Sequence, residues 1–277
     1  MIEPGALYIV ATPIGNLEDI TLRALRVLRE VDRVACEDTR VTARLFSEHA
    51  ITTPLIRHET HNEAASTAGI LELLDRGESV ALVSDAGTPT VRDPGERLVR
   101  ETLEAGHPVI AIPGPSALLA AVAASGLPAA PLTFHGFVAK KTREREASLL
   151  ALPSGTHAYF CPARDLASVV EAIALHRPEA RLAIGRELTK QHETWYRGAP
   201  AEVQALLDEH ASRGEAVLLL HLGAETGEVT DEAILDALSP LLDQGTRSKE
   251  AAESVAGSLG VSKRRAYQLA LQAKERS

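Results

Sequence analysis

Three short apolar runs organise the first part of the chain: Leu7 to Val10, Val80 to Val83 and Val109 to Ile112. Each is continuous rather than alternating, and each is separated from the next by stretches of helical period. Runs of this kind suit parallel strands buried on both faces. The first is followed by a helix near Ile20 to Glu30, with apolar Leu22, Leu25, Val27 and Leu28. Arg33 to Glu37 reads as a second strand, with a helix around Thr39 to Ser47. Helices over Asn62 to Asp75 and Gly95 to Glu104 precede the strands at 79–83 and 108–112. Such β-α repetition implies a mostly parallel sheet covered on both faces.

The pattern changes after Ser125-Gly126-Leu127-Pro128. Strands are predicted at Leu132 to Gly136, His157 to Cys161, Arg181 to Glu187, Glu193 to Arg197 and Ala216 to His221. The short step from 187 to 193 permits a hairpin, which makes this second sheet mixed. Helices fall near Leu166 to His176 and Pro200 to His210. From about Gly227 only helices are predicted: Thr230 to Leu238, Lys249 to Gly257 and Lys263 to Lys274, with Ser248 and Ser262 as N-caps and a turn at Gly260. The expected division is therefore 1–125, 126–226 and 227–277.

The loops after the three apolar runs are ATPIGNL (Ala11 to Leu17), SDAGTP (Ser84 to Pro89) and PGPSA (Pro113 to Ala117). Such compositions also make ordinary turns. Three at one end of one sheet instead point to a small-molecule pocket, because open α/β sheets bind ligands beyond their strands' carboxyl ends. No G-x-G-x-x-G follows the first strand and no G-x-x-x-x-G-K-[ST] occurs, which argues against a common dinucleotide site and a P-loop.

Composition narrows the class further. The chain has 277 residues, 45% hydrophobic but only 3% aromatic, so its core must be aliphatic. Two cysteines, Cys36 and Cys161, give neither a disulfide framework nor a zinc pattern, and a reduced, cytosolic protein is expected. The N-terminus lacks the basic start of a secretory signal. Pro108 to Phe134 carries no charged residue, but its prolines and glycines read as a strand, a buried helix and a hinge rather than a membrane span. The net charge of −9 is uneven. From Thr246 onward seven Lys/Arg face three Asp/Glu, a local excess of +4 that leaves −13 for the rest. A basic tail on an acidic body suits recruitment of a polyanion, so a two-helix nucleic-acid reader is expected in Ser248 to Glu275, with Lys263, Arg264 and Arg265 on phosphates. A helical hairpin that only packs is the alternative. Lys140, Lys141, Arg143 and Arg145 form a second cluster, either a solvated helix face or a contact for a polyanion.

The combination of ATPIGNLEDITLRAL, EDTR (Glu37 to Arg40), SDAGTPTVRDPG and PGPSA resembles the 16S rRNA ribose 2'-O-methyltransferases of the tetrapyrrole-methylase-like superfamily. HETHNE (His58 to Glu63), FHGFV (Phe134 to Val138) and RELTKQHE (Arg186 to Glu193) extend the resemblance over nearly the whole chain. It implies two α/β domains of tetrapyrrole-methylase type, with a parallel N-terminal sheet, a mixed C-terminal sheet and a small helical extension. It also implies S-adenosylmethionine as cofactor, a cytidine ribose in the decoding centre of the small subunit's 16S rRNA as substrate, a homodimer and no metal. The sequence departs from the family at Val91-Arg92, Ala139 to Glu146 and Tyr159 to Leu166. A precorrin-type tetrapyrrole methylase and a non-catalytic cofactor-binding module are the alternatives.

Under that resemblance Asp85, Ala86, Gly87, Thr88 and Ser116 hold the cofactor, and Pro13, Ala117, Phe160, Leu188 and Ala216 line the rest of its site. Asp85 also suits an Asx-turn, and Ser116 a helix cap. Removal of the 2'-hydroxyl proton calls for a base. Glu37, Asp38, His61, Glu187 and Lys190 are the candidates, with Glu37, Arg40 and Lys190 expected at the catalytic centre and Arg40 free to hold a phosphate or pair with Glu37 or Asp38.

Overall fold

A computed structural model describes residues 2–59, 62–207, 212–223 and 230–276. They form two compact units, Met1–Leu222 and Gly223–Ser277. The first unit contains two five-stranded sheets.

The first sheet is built from β1 (Leu7–Val10), β2 (Arg33–Cys36), β3 (Leu55–Arg57), β4 (Val80–Val83) and β5 (Val109–Ile112), all parallel, in the order β3-β2-β4-β1-β5. Successive side chains leave a strand on opposite faces. Val10, Val34, Cys36 and Val83 therefore pack on helices α1 (Leu22–Glu30) and α2 (Thr39–Glu48) through Ala24, Val27, Leu28, Leu45 and Phe46. Leu7, Ala35, Val80 and Leu82 meet α3 (Glu63–Asp75) and α4 (Glu96–Glu104) through Ile70, Leu74 and Leu98. The caps follow the sequence: the Thr21 hydroxyl accepts from the Ala24 amide at 3.1 Å and opens α1. Strand β3 was not predicted. It is three residues long at the sheet edge, too short to show a period.

The order has a functional consequence. Strands β4, β1 and β5 are adjacent, so the three small-residue loops leave the sheet side by side.

Helix α5 (Ala117–Ser125) follows β5 but packs on the second sheet, where Ala121 is buried with Ala158, Ala183, Val217 and Leu219. That sheet comprises β6 (Leu132–Phe137), β7 (Gly155–Pro162), β8 (Arg181–Arg186), β9 (Thr194–Gly198) and β10 (Glu215–Leu222), in the order β6-β7-β10-β8-β9. Only β6 and β7 are parallel; β8 and β9 form the expected hairpin. Its other face is covered by α6 (Thr142–Leu150), α7 (Leu166–His176) and α8 (Pro200–Leu206), with Leu149, Val170, Ile173 and Val203 buried. Residues 208–210 of the expected Pro200 to His210 helix lie outside the described residues, as does His61.

The second unit contains the three expected helices, but the last two are not a separate two-helix module. Helices α9 (Asp231–Asp243), α10 (Ser248–Leu259) and α11 (Lys263–Arg276) share one core of Ile234, Leu238, Ala252, Val255, Ala266 and Leu269. Helix α9 runs five residues past Leu238 and is a full partner in that core. Ser248 is the first helical residue of α10 rather than its cap, whereas Ser262 accepts from the Arg265 amide and opens α11. Gly260 turns the chain at φ 65°, a left-handed conformation that suits glycine. Among the described residues no helix is long and apolar enough to cross a membrane.

Candidate active site

A cavity of about 570 Å³ opens at the carboxyl ends of the first sheet and is closed by loops of the second. Its first wall holds Asp85, Ala86, Gly87, Thr88, Ser116 and Ala117, as the sequence predicts, with Glu37 at the end of β2. The opposite wall contains Phe160, Leu188, Ala216, Glu187 and Lys190. Two stretches far apart in sequence thus converge on one space of ordinary ligand size.

Hydrogen bonds brace the first wall. Thr12 and Gly87 exchange backbone bonds at 2.8 and 3.0 Å, which fastens the first loop to the second. The buried Thr12 hydroxyl also donates to the Ser84 carbonyl at 3.0 Å. Thr88 reaches from the second loop to the third, donating to the Pro115 carbonyl at 3.3 Å. Asp85 accepts from the Asp38 amide at 3.2 Å, which ties in the EDTR segment. The Ser116 hydroxyl accepts from the Leu119 amide, so it caps α5 while still lining the cavity.

The two sheets meet closely here. A Cβ on Gly15 would run into the Lys190 side chain and come within 3.2 Å of the Leu188 carbonyl. Only a glycine allows the first loop this near the 187–190 turn. That turn is itself strained, with Glu187 at φ 52° and Thr189 at φ 66°. Gly185 lies against Leu188 and the ring of Trp195, the only tryptophan in the chain.

The cavity is acidic. Glu37, Asp85, Asp93, Glu187 and Glu215 all line it. Burial, with the nearby Glu37 and Asp85 charges, lifts the Asp93 carboxyl to about 6, although a Ser84 hydroxyl partly counters this. Burial and the Asp85, Glu59 and Asp38 charges also raise Glu37. Burial pushes Glu187 upward too. The Lys190 ammonium at 2.8 Å and the Glu215 amide at 3.1 Å outweigh that, and the carboxyl ends below its ordinary value. A cationic ligand would find a complementary surface in this wall.

Several expected site residues fall elsewhere. Pro13 is buried and absent from the cavity wall, where its neighbour Ile14 stands instead. Arg40 is exposed and bonded to its own cap, Asp38, at 2.6 Å, outside the cavity. That pairing draws Asp38 down to about 2, poorly suited to accept a proton. Lys190 does line the cavity, but its ammonium is engaged by Glu187. Arg145 does not join an exposed basic cluster. It is 9% exposed, with Leu149 and Tyr159 around a small hollow beneath α6, because the period of α6 turns it to the core. Lys140 and Arg143 remain exposed, and Lys141 pairs with Glu144. In α11, Lys263 pairs with Glu253 and Arg265 with Asp231, while Arg264 is exposed.

Other wall residues were not expected in the site: Asp93, Arg92, Phe137, Arg164 and Glu215, although Arg92 and Arg164 lie in segments that depart from the family. The first two belong to the SDAGTPTVRDPG segment, whose left-handed residues Thr90 (φ 74°) and Arg92 (φ 70°) are unusual for non-glycine positions. Backbone strain of that kind concentrates at functional sites.

Comparison with known proteins agrees with this architecture. The sequence model of the tetrapyrrole (corrin/porphyrin) methylases matches residues 6–204. A protein of Pseudomonas aeruginosa named ribosomal RNA small subunit methyltransferase I is 42% identical, over 99% of this chain and 99% of its own. Its namesake in Synechocystis is 39% identical, over 97% of this chain and 98% of its own. Among solved structures, a diphthine synthase superposes with a TM-score of 0.60 at 15% identity, over 80% of this chain and 90% of its own. A uroporphyrin-III-C-methyltransferase from Thermus thermophilus does so with a TM-score of 0.55 at 22% identity, over 83% and 98%. With a family match across most of its length and relatives alike from end to end, the chain belongs to the tetrapyrrole methylase family, alongside the ribosomal RNA small subunit methyltransferase I proteins.

Proposed function

We propose that this protein transfers a methyl group from S-adenosylmethionine to the ribose 2'-hydroxyl of a cytidine in the small subunit's 16S rRNA, at the decoding centre. The observation that carries the reading is the end-to-end similarity to the rRNA small subunit methyltransferase I relatives. The cavity fits the cofactor chemically: apolar Ile14, Phe160, Leu188 and Val217 suit a planar base, and Glu37, Asp85 and Asp93 suit cationic centres. When bound, the cofactor supplies an electrophilic methyl group.

The protein's share is positioning, desolvation and a proton acceptor. The braced loops fix one wall, and the 187–190 turn fixes the other. The raised carboxyls of Glu37 and Asp93 are the groups that accept the hydroxyl proton near neutral pH; Lys190 holds Glu187 in place. Two copies pair through the uncharged stretch from Ala117 to Phe134, where Leu119 is 62% exposed. Light scattering at micromolar concentration should give a dimer mass, and a monomer would refute the pairing.

The test of function is incubation with methyl-labelled S-adenosylmethionine and, separately, small subunits, free 16S rRNA and a tetrapyrrole. Label should enter RNA at a single nucleotide whose 3' linkage then resists alkali. Label in the macrocycle, or in no acceptor, would overturn the reading.

A further inference from the structure

Among the described residues the cavity wall carries three cationic side chains, Arg92, Arg164 and Lys190. Lys190 is neutralised by Glu187. Arg92 and Arg164 are exposed, and neither makes an ion pair among the described residues. The cofactor carries a single carboxylate beside its two cationic centres, so two guanidiniums without an ion-pair partner in the wall of an otherwise acidic cavity exceed what it can pair with. They suit an anionic substrate group that approaches from solvent.

Between the sheets stands Phe137, 52% exposed in a chain with only four phenylalanines. Its placement follows from a bulge. Phe134 pairs with Ala158 while Phe137 pairs with Phe160, so β6 holds three steps where β7 holds two. The extra residue, with Gly136 at φ 76°, turns Phe137 from the face of His135 and Tyr159 to the face of Phe134 and Phe160. There its edge meets Phe160, with centroids 5.7 Å apart, and the Arg92 guanidinium lies 5.4 Å from its ring centre. Arg92 in turn packs where a Cβ on Gly136 would sit, so strand bulge and strained loop are fitted to each other. A core residue would not be delivered by a bulge to a rim and left half open.

We propose that Phe137, Arg92 and Arg164 form a nucleotide-positioning subsite in the cavity mouth: a base of single-stranded RNA stacks on the Phe137–Arg92 pair, and Arg164 holds an adjoining phosphate. This rests on the RNA-methylating reading above. Aromatic rings beside arginines are a general platform for unpaired bases, and stacking is indifferent to base identity, so the subsite fixes the strand and leaves nucleotide choice to other contacts.

The experiment uses the full chain, with S-adenosylmethionine affinity from calorimetry and RNA affinity from the anisotropy of a labelled single-stranded 12-mer of 16S sequence. Phe137→Leu keeps an apolar contact with Phe160 but removes the ring; it should weaken RNA binding about 5- to 100-fold with an unchanged salt slope. Arg164→Gln should weaken RNA binding and lower the slope of log affinity on log salt by about 0.7, one single-strand phosphate. Both should bind the cofactor within about twofold of the parent, the control for folding. RNA affinity and salt slope equal to the parent's in both variants would overturn the subsite, as would a loss of cofactor affinity in Phe137→Leu equal to its loss for RNA. A parent that methylates RNA alongside unaffected variants would sink the subsite alone. A parent that methylates only a tetrapyrrole would remove the RNA-methylating reading itself.

Discussion

Asp93 offers a sharp test of the acidic cavity. Its carboxyl is displaced from 3.8 to about 6, chiefly by burial and by Glu37 and Asp85. A folded-state value above the unfolded one means that the folded protein holds the proton more tightly. The associated stability is present below about pH 4 and is lost as pH rises through 6. At full strength the shift is worth about 3 kcal/mol, at about 1.36 kcal/mol per unit. Water on the open side of the cavity screens this to about 1–2 kcal/mol. Asp93→Asn keeps the shape and an oxygen for Ser84 but cannot ionise. The variant should therefore melt about 2–8 °C higher than the parent at pH 7.5, at about 2–4 °C per kcal/mol for a unit of this size. At pH 4.5 the parent is mostly protonated at this site, and the gain should shrink to about a third. Thermal unfolding at both pH values decides it. A gain independent of pH, or a loss at pH 7.5, would refute the account of strain among these carboxylates. The same variant should methylate more slowly at neutral pH, since it keeps only Glu37 of the two proton acceptors.

Asp85→Ala should leave the fold intact and weaken S-adenosylmethionine binding about 10- to 100-fold, the scale of a lost charged hydrogen bond, by calorimetry. Gly15→Ala forces the first loop off the 187–190 turn and should lower cofactor affinity with little change in melting temperature; equal affinity would mean that the close approach is incidental. Removing residues after Gly245 strips α10 and α11 from Ile234 and Leu238, at about 1.5–3 kcal/mol for each side chain uncovered. That truncation should aggregate, whereas one ending at Leu222 should stay soluble and bind cofactor. The shorter protein should methylate RNA more slowly than the full chain, by a margin that widens with salt; equal rates at all salt concentrations would make the second unit dispensable.

Much of this site was legible in advance because its first wall is local. A strand's end dictates its loop, and SDAGTP and PGPSA each carry their own glycine, proline and cap. The continuous runs at 7–10, 80–83 and 109–112 also declare their burial directly. What escaped depends on contacts far apart in sequence. Nothing near Asp93 in the chain reveals that Glu37 shares its cavity, and the isolated residues of β3 show no period. Arg145 was misplaced because a run of charges reads as a solvated face until the helix register is known. Phe137 was hidden for a different reason: a one-residue bulge reverses the face of everything beyond it. All three helices of the tail were visible, but the packing of α9 with the other two in one core was not, since it reads as an ordinary amphipathic segment.

The position of Trp195 gives the protein a built-in reporter. Its indole rests on the Gly185–Leu188 side of the cavity, stacked under Arg197 at 4.1 Å and donating to Glu193 at 2.9 Å. Because no other indole contributes background, the emission of the unmodified protein tracks that wall directly. Filling of the cavity and melting of the second sheet each change its surroundings differently, so a stopped-flow trace of one natural fluorophore can separate the order in which cofactor and RNA arrive.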